Sequence, residues 1–74
     1  MIRLRVKEVA QQKGVSMHKL SQQAQVSYNI IRRMFNNPYQ VVNTDTLGRI
    51  ADALGIPPGE LIENAPPHPE AEKD

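Results

Sequence analysis

Residues 16–35 read Ser-Met-His-Lys-Leu-Ser-Gln-Gln-Ala-Gln-Val-Ser-Tyr-Asn-Ile-Ile-Arg-Arg-Met-Phe. Met17, Leu20 and Ala24 recur at the three- and four-residue spacing of one helical face. Ser16 ahead of them is a residue type whose hydroxyl accepts from a free N–H in a first turn. A second run of the same kind starts after Ser27, which is expected to cap it, with Ile31, Met34 and Phe35 on one side. Only Gln25 and Val26 separate Ala24 from Ser27, so the two short helices are joined by a tight turn. At about 100° per residue, Asn29, Arg33 and Asn36 fall opposite Ile31, Met34 and Phe35. The outward face of the second helix is therefore polar and cationic.

Upstream, the spacing predicts a first helix over about Arg3 to Lys13, with Val6, Val9 and Ala10 inward and Gly14 as a left-handed stop. Ile2 and Leu4 form either an extended arm or the first turn of that helix. Downstream, Asn37-Pro38 forbids continuation of the helix that follows Ser27, and a loop from Asn37 to Val42 leads to Asn43. Asn43 caps a fourth helix with Asp45 in its first turn, an apolar stripe of Leu47, Ile50, Ala51 and Leu54, and Gly55 as its stop. Pro58 suits the first position of a fifth, short helix that turns Leu61 and Ile62 inward. No strand is expected beyond the short arm. Residues 1–63 make one domain, and residues 64–74, with three prolines in four residues and no apolar periodicity, make a disordered acidic tail.

The fold class is thus all-α, a compact five-helix bundle. Its expected core is Val6, Val9, Val15, Leu20, Ala24, Val26, Ile31, Met34, Phe35, Leu47, Ile50, Ala51, Leu54, Ile56 and Leu61. A chain of 74 residues sits near the size at which one core is marginal alone, which favours a homodimer. The absence of cysteine removes disulfides, thiolate metal sites and thiol nucleophiles. His18 and His68 are the two histidines, and no carboxylate pair, metal-ligand cluster or Gly-rich phosphate loop accompanies them. An enzyme is not expected, nor a cofactor. Nothing resembles a secretory leader or a membrane span, so a cytoplasmic protein is expected.

The formal net charge of +1 conceals an asymmetry. Residues 1–50 carry eight Lys and Arg against Glu8 and Asp45, net +6, and residues 51–74 carry Lys73 against six carboxylates, net −5. Cations gathered around the two-helix segment suit a phosphate polyanion. A helix also fits the major groove of duplex DNA, where each base pair shows its own donor and acceptor pattern. Arg33 has the forked donors that match guanine O6 and N7, and Asn29 the donor and acceptor that match adenine. Tyr28 at the N-terminal end reaches a base edge, a thymine methyl or a phosphate, unless its ring covers the edge of the preceding helix; Ile30 faces a thymine methyl. Ser16, His18, Lys19, Ser27, Arg32 and Asn36 are placed for the sugar-phosphate backbone. Arg3 and Arg5 belong either to an arm on DNA or to a dimer contact with Ile2 and Leu4, and the dimer contact itself is expected either at the fifth helix, with Leu61 and Ile62, or at this N-terminal arm.

The pieces Gly14-Val15-Ser16, Leu20, Val26-Ser27, Tyr28 to Met34, Thr46-Leu47, Ile50 to Ile56 and Pro58-Gly59-Glu60-Leu61-Ile62 stand in an order and spacing that resembles the Cro/C1-type (XRE-like) helix-turn-helix family. The resemblance covers about residues 4–62 and implies a bundle of the phage-repressor type. It also implies sequence-specific binding of a double-stranded DNA operator, usually as a homodimer and usually in repression. Relatives carry Gly where this chain has Gln25, which places a non-Gly residue at positive φ. Many carry an Arg and Glu pair where Ala10 and Phe35 stand here, and Gln at the position of Met17. The competing reading is an antitoxin or adaptor-type interaction module on the same fold, with Pro66-Pro67-His68-Pro69 of the tail as the handle for a protein partner.

Overall fold

The computed structural model describes residues 1–65. Among the described residues there are four α-helices: α1 (Val6–Gln12), α2 (Met17–Ala24), α3 (Tyr28–Asn36) and α4 (Thr44–Leu54). Where a fifth α-helix was expected there is a 3-10 turn over Pro58–Leu61. Two short strands, β1 (Ile2–Leu4) and β2 (Ile62–Asn64), pair antiparallel with Ile2 opposite Asn64 and Leu4 opposite Ile62.

Three of the four helices end in the same way, and the sequence shows why. Gly14, Gln25 and Gly55 take left-handed φ values of 67°, 56° and 70°. The next residue then donates its N–H five positions back: Val15 to Ala10 at 2.9 Å, Val26 to Ser21 at 3.1 Å, Ile56 to Ala51 at 3.0 Å. This satisfies a carbonyl that the helix would otherwise leave open, and it folds an apolar residue back onto the bundle. Val26 is buried, and Val15 and Ile56 are partly buried against the core. The starts are equally local. Ser16 Oγ accepts from the Lys19 N–H at 3.1 Å and Asn43 Oδ1 from the Thr46 N–H at 2.8 Å.

The buried core comprises Leu4, Val6, Val9, Ala10, Leu20, Ala24, Val26, Ile31, Met34, Ile50, Ala51, Leu54 and Leu61. Val15, Phe35, Leu47 and Ile56, expected inside, line its margin instead, as does Met17. Each fully buried Leu or Ile contributes roughly 1.5–3 kcal/mol relative to exposure. The packing of α2 against both α3 and α4, centred on Leu20, fixes the angle at which α3 is held.

The two ends of the domain differ from expectation. The first helix starts at Val6 rather than Arg3, because Ile2-Arg3-Leu4-Arg5 alternates apolar and cationic residues at the period of a strand. Leu4 is buried, and its N–H donates to the Pro38 carbonyl at 2.7 Å. The Arg5 N–H donates to the Leu61 carbonyl at 2.7 Å, and the Ala65 N–H to the Met1 carbonyl at 2.8 Å. Leu61 is fully buried, whereas Ile62 has turned extended and enters β2. A strand over Ile62–Asn64 thus replaces the end of the expected fifth helix and reaches one residue past the expected domain boundary at 63. The remainder of the expected tail, from residue 66, lies outside the described residues.

Candidate nucleic-acid interface

The outward face of α3 is built by its inward one. Ile31 is fully buried and Met34 1% exposed, which pins the rotation of the helix. Asn29, Arg32, Arg33 and Asn36 are then all exposed. Among the described residues no hydrogen bond or ion pair engages their side chains. Groups with strong hydrogen-bonding capacity are held ready on a helix whose position is fixed from behind.

The other arginines are engaged. Arg3 Nη1 donates to Glu8 and, at 2.8 Å, to Glu63 of β2, while Arg5 lies 3.6 Å from Glu8 and donates to the Glu60 carbonyl at 3.3 Å. Arg49 pairs with Asp45 one turn earlier at 3.0 Å. The hydrogen bond from Arg3 is the main cause that holds the Glu8 carboxyl below its ordinary value, and Glu8, followed by Glu63, raises Arg3. Arg3 and Arg5 are thus engaged within the chain, whichever of the two expected placements, an arm on DNA or the flank of a dimer contact, the arm serves. Arg3 staples β1 to β2 and to α1, and Arg5 ties the start of α1 to the 3-10 turn.

The residues expected at the phosphate backbone are distributed over α2 and α3. Ser16 at the start of α2 uses its oxygen as cap and keeps its O–H to donate. Ser27 occupies the cap position of α3 but its side chain accepts nothing there, contrary to the expected cap. His18 and Lys19 are exposed on the first turn of α2. The His18 ring lies 6.3 Å from that of Tyr28, tilted by 57°, and His18 Nε2 is 3.2 Å from Gln22 Nε2. Tyr28 therefore leans on α2 and is still 41% exposed. Gln22 was missed in the sequence, although its i, i+4 spacing from His18 was visible.

Beyond α3, Asn37 Oδ1 accepts from the Tyr39 N–H at 3.0 Å and starts the turn that the following Pro38 requires. Among the described residues no group of three His, Cys, Asp or Glu could hold a metal ion, and no helix is long and apolar enough to cross a membrane.

Two helices joined through a left-handed residue at Gln25, with the second exposing its polar face, define a helix-turn-helix protein. The chain belongs to the Cro/C1-type helix-turn-helix DNA-binding family, whose model matches residues 5–67. It is similar to the crystal structure of a candidate DNA-binding protein from Bacteroides fragilis, at 32% sequence identity and a TM-score of 0.74, over 85% of this chain and 100% of that one. A comparison with curated proteins gives no match.

Proposed function

We propose that this chain is a sequence-specific regulator of transcription, a repressor, that binds its double-stranded DNA operator as a homodimer. Two copies of α3 lie in successive major grooves, with half-sites about 10 bp apart. Arg33 contacts a guanine, Asn29 an adenine, and Tyr28 a base edge at the entering end of the helix. Ser16, His18, Lys19, Ser27, Arg32 and Asn36 hold the sugar-phosphate backbone and set the register. Repression by occupying a promoter requires neither catalysis nor a cofactor.

The observation that carries this reading is the outward face of α3, where Asn29 and Arg33 are exposed and unpaired one turn apart while Ile31 and Met34 are buried behind them. Leu61 is fully buried and offers nothing to a second copy. The dimer contact is assigned instead to the N-terminal arm, where Ile2 is 54% exposed beside the partly buried Ile62.

Selection of bound duplexes from a random library by the purified protein tests the proposal. The expected result is an enriched pseudo-palindrome with half-sites about one helical turn apart. Failure to enrich any sequence over random duplex contradicts it.

A further inference from the structure

Ile30 is an exposed aliphatic residue on α3, the helix proposed to read DNA. It stands at the third position of α3, about 60° round the axis from Arg33 and about 40° from the buried Met34. Its exposure is 37%, against none for Ile31 beside it. Local structure gives no reason for it, since a β-branched side chain is a weaker helix former than Lys, Glu or Gln, and a first turn favours carboxylates. Tyr28, the other exposed large apolar residue of α3, has His18 as a ring partner. The Ile30 side chain has no polar atom and leaves an aliphatic surface about 60° round the helix from the position of Arg33.

The major-groove edges of the four base pairs carry donors, acceptors and one apolar group, the C5 methyl of thymine. We propose that Ile30 reads a thymine methyl adjacent to the base pair read by Arg33, and so sets one position of the operator. The inference rests on the placement of α3 in the major groove proposed above. A cation and an aliphatic group side by side select a guanine next to a thymine, where a uracil or a cytosine in place of the thymine leaves Ile30 facing water or an amino group.

The test uses the selected operator remade with deoxyuridine at each thymine in turn, which removes the methyl and keeps every hydrogen-bonding atom. One position per half-site should weaken binding about fourfold, the change expected when a methylene-sized contact is lost. That sensitivity should vanish in Ile30→Ala, persist in Ile30→Val, and persist in Arg33→Ala despite its weaker binding overall. Equal affinity for thymine and uracil at every position overturns the inference, as does undiminished discrimination by Ile30→Ala. A protein that enriches no duplex at all overturns the major-groove reading and this inference with it; one that enriches a duplex but ignores the methyl overturns the inference alone.

Discussion

His18 on α2 and Tyr28 on α3 hold each other across the turn, with ring centroids 6.3 Å apart. A tilted aromatic pair of this kind is worth about 0.5–1.5 kcal/mol beyond the area it covers. Its consequence is positional, because Tyr28 is the first residue of the reading helix and has no other ring to rest on among the described residues. His18→Ala should lower the melting temperature by a few degrees and weaken operator binding by roughly threefold to tenfold. His18→Phe, which keeps a ring against Tyr28, should recover part of that loss. Equal affinities for the Ala and Phe variants in a titration of operator DNA would remove the ring contact from the account.

Lys19 and Arg33 should separate cleanly. Lys19→Ala is expected to weaken all duplexes alike and to lower the salt slope of binding by about one. Arg33→Ala should cost about 1–3 kcal/mol on the best site and relax the preference at one base pair. Binding measured against salt and against a panel of single-base variants of the operator distinguishes the two patterns. An Arg33→Ala variant that keeps its base preference contradicts the reading.

The ion pair of Arg3 with Glu8 makes a pH prediction. Glu8 is held below its ordinary value of 4.5 in the folded chain, first of all by the hydrogen bond from Arg3. Its contribution is whole above that value and drains away as the pH falls through the lower, folded one, since protonation then favours the unfolded chain. Both groups are substantially exposed, so the effect is modest. Between about pH 6 and about pH 3 the parent should lose more melting temperature than Glu8→Gln does. Parallel losses in the two proteins would show that the pair contributes nothing.

Gln25 pays for its turn in backbone strain, with φ of 56° at a site whose counterparts Gly14 and Gly55 have no side chain to strain. Gln25→Gly should stabilise the fold by up to about 1 kcal/mol, less the extra freedom glycine has when unfolded. For a domain of this size that is a rise in melting temperature of a few degrees. A fall would mean that the Gln25 side chain makes a compensating contact.

Much of this architecture was legible because it is local. Gly14 and Gly55 as stops and Ser16 and Asn43 as caps are each decided by the chemistry of a few neighbouring residues, whereas the positive φ at Gln25 was implied by the family resemblance alone. The opposition of Ile31 and Met34 to Asn29 and Arg33 follows from helical geometry alone. The pairing of β1 with β2 was not legible. Each strand has three residues, and the partners Leu4 and Ile62 lie 58 positions apart, so no short window contains both. For the same reason the contacts of Arg3 and Arg5 were not legible, since Glu63 and the Glu60 carbonyl that engage them sit at the far end of the chain. The contact of His18 with Tyr28 depends on the angle between α2 and α3, which the core around Leu20 decides.

Whether the outward face of α3 occupies the major groove is read from chemical probing of the bound operator. Dimethyl sulfate attacks guanine N7 in the major groove and adenine N3 in the minor groove. The account predicts guanine N7 protection in two patches about one helical turn apart, unchanged adenine N3 reactivity, and loss of one protected guanine per half-site with Arg33→Ala. Protection of adenine N3 with guanine N7 left reactive would contradict it.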